Sequence, residues 1–199
     1  MKNRCFVAVI VLGILILCVG YGILREANQK KEMTQRMAEQ KIVIMCIKER
    51  YTESAQLAGS FIDNSGDIYY FDVSEAFRDS NRRLVFYKND TLYEYLCEHM
   101  EEYEKKPFLK KSQLYDCYAS LNLIDKDAEM AGERAMADWG SLFLYGVRLS
   151  DNGEREFILL EEYGDWMGYN LDEHAQRTVE ILGKDTWRDN FYCPILELY

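Results

Sequence analysis

The chain has 199 residues, of which 24 are Lys or Arg and 34 are Asp or Glu, for a formal net charge of −10. Beyond residue 40 the balance is 18 basic to 31 acidic groups, net −13, a field that repels nucleic-acid phosphate and anionic lipid and favours cationic partners. A stretch of that length buries a core of its own, and one domain is expected.

Residues 5–24, CFVAVIVLGILILCVGYGIL, carry no charge and are apolar except at Gly13, Gly20 and Gly22. Such a run, at about 1.5 Å per residue, spans roughly the 30 Å of a bilayer's hydrocarbon core. It also exceeds the roughly 7–15 apolar residues of a cleavable signal. With Lys2 and Arg4 before it, the segment 1–25 reads as an uncleaved signal anchor, a transmembrane helix that contacts the membrane through residues 5–24. Two rivals stand beside that reading. Gly20 and Gly22 have the mutual spacing of a signal-peptidase site, and Leu15-Ile16-Leu17-Cys18 resembles a bacterial lipobox, with Cys18 as the lipidated residue and bulky Leu17 where a small residue belongs. Basic residues lie on both flanks of the run. A short basic start followed at once by an apolar run is nevertheless the form of an export signal, and long domains translocate largely regardless of charge. The expectation is a single-pass cell-membrane protein with its carboxyl-terminal body outside the cytoplasm.

Residues 26–41 are polar, lack Gly and Pro and consist of good helix formers, so they predict a helical stalk. The remainder, 42–199, reads as a single acidic domain. Ile42–Ile47 is a short apolar run suited to a buried strand. Residues 56–63 and 67–73 flank Asn64-Ser65-Gly66 as a β-hairpin, and 82–88 suggests a further strand. Leu92, Leu96, His99 and Tyr103 share a helical face, with Thr91 and Glu94 placed as a capping box and Pro107 beyond the end. Leu114, Cys117, Tyr118 and Leu121 repeat that spacing, and residues 126–138 (KDAEMAGERAMAD) predict another helix, weakened by Gly132. A second hairpin pairs 141–149 with 154–162 around Asp151-Asn152-Gly153. A last helix is capped by Asn170, with Glu173 three residues on, carries Ala175, Val179 and Leu182, and ends at Gly183. The tail FYCPILELY predicts a terminal strand. Hairpins mixed with separate helices, without βαβ alternation, predict an α+β domain of two β-hairpins with three to four helices behind the transmembrane helix and stalk.

The sequence contains no Gly-rich phosphate loop and no HExxH, GxSxG or EF-hand motif, so nucleotide-dependent and zinc-hydrolase chemistry has no support, and neither a cofactor nor a metal is expected. His99 lies on an apolar helix face and His174 in an acidic first turn, the ordinary places for a packed and a solvated histidine. Cys97 and His99 are two apart, so on a helix they do not face each other. Asp125, Asp127, Glu129 and Glu133 offer oxygen ligands without the glycine and terminal glutamate of an EF loop, which suits an acidic helix start. Cys46, Cys97, Cys117 and Cys193 allow two disulfides in three connectivities, or buried free thiols. The best candidate binding surface is residues 161–169, EEYGDWMGY, in which Glu162, Tyr163, Asp165, Trp166 and Tyr169 set aromatic faces beside carboxylates, the chemistry that holds a sugar ring or a cationic side chain.

The basic apolar start, GSFIDNSGDIYYFDVS (59–74) and LYGVRLSDNGEREFILLEEYGDW (144–166) together resemble small membrane-anchored, lipoprotein-like extracytoplasmic proteins of Gram-positive bacteria. The resemblance implies envelope placement and brings no activity with it. The expected function is a membrane-anchored, non-enzymatic binding module at the cell envelope, with a basic protein or cell-wall ligand as partner. Its alternative is an immunity-type inhibitor that neutralises a basic toxin by complementary charge, and third comes a hydrolase using Glu162 and Asp165 as paired carboxylates.

Overall fold

The computed structural model describes residues 2–50, 56–85, 87–134, 140–150, 152–164 and 166–183, without the side chains of 2–16, 18 and 26. Two compact units result, Met1–Arg36 and Met37–Tyr199.

In the first unit the backbone is helical, as part of α1 (Lys2–Glu39). Among the described residues no helix is long and apolar enough to cross a membrane. Of the apolar run, side chains are described at Leu17 and at 19–24, and Arg25 follows them. Lys30, Lys31, Glu32 and Arg36 follow within the same helix. The transmembrane, single-pass and cell-membrane expectations are corrected on that finding. The side chains of 5–16 and that of Cys18, proposed for lipidation, lie outside the described residues.

In the second unit one sheet dominates. The strands are β1 (Ile42–Arg50), β2 (Gln56–Asp63), β3 (Asp67–Asp72), β4 (Lys105–Pro107), β5 (Met130–Arg134), β6 (Ser141–Leu149), β7 (Arg155–Gly164) and β8 (Trp166–Asn170). They form a single eight-stranded sheet in the order β4-β3-β2-β1-β6-β7-β8-β5, and each pairing in it is antiparallel. The helices are α2 (Asn89–Glu98), α3 (Lys111–Leu121) and α4 (Glu173–Leu182), with one 3₁₀ turn at Met100–Glu102. The expected α+β layout, one small domain of two β-hairpins with three to four helices, is thereby overturned. Both hairpins form where their glycine turns place them, but β1 pairs with β2 on one side and β6 on the other, which fuses them into one sheet.

Alternation along the strands gives each face its own helix layer. Met45, Ile47, Phe61, Tyr69, Phe71 and Val147 cluster with Leu92, Tyr93 and Leu96 of α2. On the opposite face lie Ile44, Cys46 and Leu144, all fully buried. A Cβ at Gly146 on that face would meet Leu121 of α3 at 2.1 Å. There α3 packs on β6 and α4, and α4 on β7. The start of β1 is held by side chains: Gln40 Nε2 donates to the carbonyls of Ile42 at 2.5 Å and Val147 at 2.6 Å, and Tyr93 Oη accepts from the N–H groups of Lys41 and Ile42.

Several local expectations change. Among the described residues of 82–88, Leu84 makes an isolated bridge with Arg78 in place of the expected strand. The α2 N-cap is Lys88 instead of Thr91, and the α4 cap is Asp172 instead of Asn170, its side chain accepting from the His174 N–H. Within the helix expected over 126–138, Met130–Arg134 is strand β5 and 135–138 lie outside the described residues, and the segment 161–169, expected as a connection between hairpin and helix, holds the end of β7 and most of β8. Cys46, Cys97 and Cys117 are free thiols, which removes disulfides among these three. Cys193 and the tail FYCPILELY lie outside the described residues.

Candidate functional site

The nominated segment 161–169 folds as the end of β7, a tight reversal and β8, with β5 on the outer side. Gly164 makes the reversal possible: its φ is +142°, and a Cβ there would sit 2.0 Å from the Gly140 carbonyl oxygen. Asp165 lies outside the described residues. The pairings Glu161↔Tyr169 and Glu162↔Gly168 then fix which side chains share a face.

By that register the four nominated residues that are described do not converge. Glu162 and Trp166 point to the α2 side of the sheet, whereas Tyr163 and Tyr169 point to the α3/α4 side, because successive strand residues alternate. The three aromatic residues are nevertheless all exposed, Tyr163 at 40 %, Trp166 at 45 % and Tyr169 at 48 %. Met130 and Leu171 join them in that part of the molecule, so among the described residues of the second unit most large exposed hydrophobics lie at the β8–β5 end of the sheet, with Val85 and Leu123 elsewhere.

Trp166 is the best-defined element. Opposite it on β5 is Arg134, and Gly132 pairs with Gly168. A Cβ on Gly132 would lie 2.8 Å from the Trp166 Nε1 and 2.3 Å from the Met167 carbonyl, and one on Gly168 would lie 3.3 Å from the same Nε1. The indole thus rests across two glycines that leave it room, with Met130 Cε at its margin, 3.6 Å from the Gly168 position.

On the same face a second aromatic and carboxylate group follows, unsignalled by any motif. Phe143 pairs with Glu162 in the β6–β7 register, and its ring stacks on Tyr145 at 6.0 Å. Burial raises the Tyr145 hydroxyl pKa; a hydrogen bond with Asn89 opposes this and the Glu49 and Glu162 carboxylates add to it. The Tyr87 hydroxyl donates to Glu49. Only strand pairing brings Glu49, Phe143, Tyr145 and Glu162 together, so no local pattern could have found them.

The remaining candidates are structural in their surroundings. His99 ends α2, lies against Tyr95 in a tilted ring contact with centroids 4.3 Å apart, and bonds Glu102 through Nδ1 at 2.8 Å. His174 lies 3.8 Å from Glu173. Burial pushes the Cys46 thiol up, and the Cys117 thiol up to about 12, which opposes thiolate formation. Asp125 accepts from the Asp127 N–H and itself donates from its backbone to Asp172. Among the described residues no group of three or more His, Cys, Asp or Glu side chains is placed to hold a metal ion.

Compared with known proteins, the chain matches no family model, no curated protein and no solved structure.

Proposed function

We propose that the chain is a binding module for a basic protein or peptide, with the β7–β8–β5 end of the sheet as the contact surface. The observation that carries this reading is the gathering of Met130, Tyr163, Trp166, Tyr169 and Leu171 at one end of the sheet, in a body whose net charge beyond residue 40 is −13. These side chains lie on both faces of that end of the sheet; exposed apolar side chains gathered in one region mark interaction sites, and aromatic faces beside carboxylates suit Lys and Arg in particular. Trp166 offers such a face next to the Glu162 position, and Tyr169 does the same beside Glu161.

The test is a titration of the full chain with a lysine-rich peptide and, separately, a glutamate-rich one, at low and high salt. The expected result is binding of the lysine peptide alone, weakening as salt screens the charges. Trp166→Ala should lower its affinity by about 0.5–1 kcal/mol, the usual size of an exposed cation–π contact. Equal binding of both peptides, or affinity indifferent to salt, contradicts the proposal.

A further inference from the structure

The two margins of the sheet differ in kind. At one, β4 is three residues long, Lys105-Lys106-Pro107, and all three are exposed. Lysine and proline on a short edge strand are the usual protection against pairing with another chain. At the other margin β5 reads Met130-Ala131-Gly132-Glu133-Arg134. It has neither a lysine nor a proline, and each of its residues is exposed or half-exposed.

The hydrogen-bond phase of β5 follows from its neighbour. The Leu171 N–H donates to the Glu129 carbonyl at 2.9 Å, and the register continues from Met130↔Asn170 to Arg134↔Trp166. Bonded and non-bonded pairs alternate in an antiparallel ladder, so Ala131 and Glu133 exchange bonds with β8, while the N–H and C=O groups of Met130, Gly132 and Arg134 point to the open side. Among the described residues no hydrogen bond is made to those outward groups.

The side chains specify what fits there. Met130 and Gly132 share a face with the exposed Trp166 indole; Ala131 and Glu133 share the other face with Tyr169. An added strand would place its residues alternately against these two surfaces. One series would lie against the Trp166 indole that covers Gly132 and against Met130, with Arg134 at the end of the same face, which suits apolar side chains. The other would meet Glu133, which suits basic ones, in keeping with the acidic charge of the body.

We infer that the open edge of β5 accepts an extended segment of a partner, alternating basic and apolar residues, as an additional strand of the sheet. The inference rests on the basic-partner reading above and adds its mode of docking, main-chain pairing with side-chain selection on two faces.

The test follows amide hydrogen exchange in the full chain with the peptide Lys-Val-Lys-Val-Lys-Val-Lys and with a form carrying Pro at its centre. The expected result is slowing of exchange at Met130, Gly132 and Arg134 by about tenfold or more with the alternating peptide alone. Met130→Pro and Arg134→Pro each remove an outward donor without removing a bond to β8, and each should weaken binding by about tenfold. Should either variant fail to fold, the exchange measurement on the unaltered chain decides alone. If the proline-bearing peptide binds equally well and remains salt-sensitive, the basic-partner reading stands and strand addition is overturned. If neither peptide binds at low salt, both fall. If the three amides are already protected in the free protein and lose protection on removal of residues 184–199, the chain's own tail is the occupant and the proposal is overturned.

Discussion

At the scale of single residues, a few polar side chains hold elements that apolar contacts leave loose. Arg148 is 9 % exposed; its Nη1 donates to the carbonyls of Leu121 and Ile124 at 2.8 Å each, and its Nε to Glu156 at 2.7 Å. It therefore closes the carboxyl-terminal end of α3, where helix carbonyls lack partners. Arg148→Met should destabilise by about 2–4 kcal/mol, since two carbonyls and a carboxylate lose their donor; urea unfolding measures this. Gly132→Ala should cost about 1–3 kcal/mol in the same assay, because its Cβ would meet backbone at 2.3 Å rather than a side chain that can move. Two tyrosines set the alkaline limit. Burial, reinforced by the nearby Asp63, pushes Tyr69 up to about 12, and burial followed by the Tyr95 and Glu102 charges does the same for Tyr103. Raised acids favour the fold below their unfolded value, so this contribution is intact below about pH 10 and is lost as pH rises toward about 12. Stability measured across that window should fall together with tyrosinate absorbance. Asp172 acts at the other limit. Burial disfavours its charge, but the N–H groups of Asp125, His174 and Ala175 outweigh it and hold the pKa below the ordinary value. That contribution is present above about pH 4 and is lost as pH falls through the folded value, and Asp172→Ala should cost about 1 kcal/mol as a lost helix cap.

At the scale of elements, what the sequence disclosed depended on how local the cause was. Asn64-Ser65-Gly66 and Asp151-Asn152-Gly153 announced their hairpins because turn chemistry lies within the turn itself. The helical spacing of Leu114, Cys117, Tyr118 and Leu121 likewise marked α3, whose four apolar positions are all buried. β5 was illegible for the opposite reason. Its Ala, Met, Glu and Arg residues favour helix by propensity, and the strand exists through its ladder to β8, a partner about 36 residues away in the chain. β8 was missed with it, since glycines beside aromatic residues read as a loop until Gly168 and Gly132 are seen to accommodate the Trp166 indole. The candidate site suffered the same loss: Glu162, Tyr163, Trp166 and Tyr169 were visible as a segment, but their division between two faces follows from strand register alone.

At the scale of the whole second unit, the pairing of β1 with β6 joins residues roughly a hundred positions apart and decides the architecture. Nothing in either strand's own pattern specifies that partner, which explains why two expected hairpins proved to be one sheet. The same joining leaves one end of the sheet, at β8 and β5, carrying exposed aromatic side chains within an acidic body. That end is the centre of the functional account. The measurement that tests it most directly is a resonance-by-resonance titration of the full chain with a lysine-rich peptide. The account predicts shifts at Glu133, Glu162, Trp166 and Tyr169 that vanish at high salt and do not occur with a glutamate-rich peptide. Shifts confined to other parts of the molecule, or shared by both peptides, would contradict it.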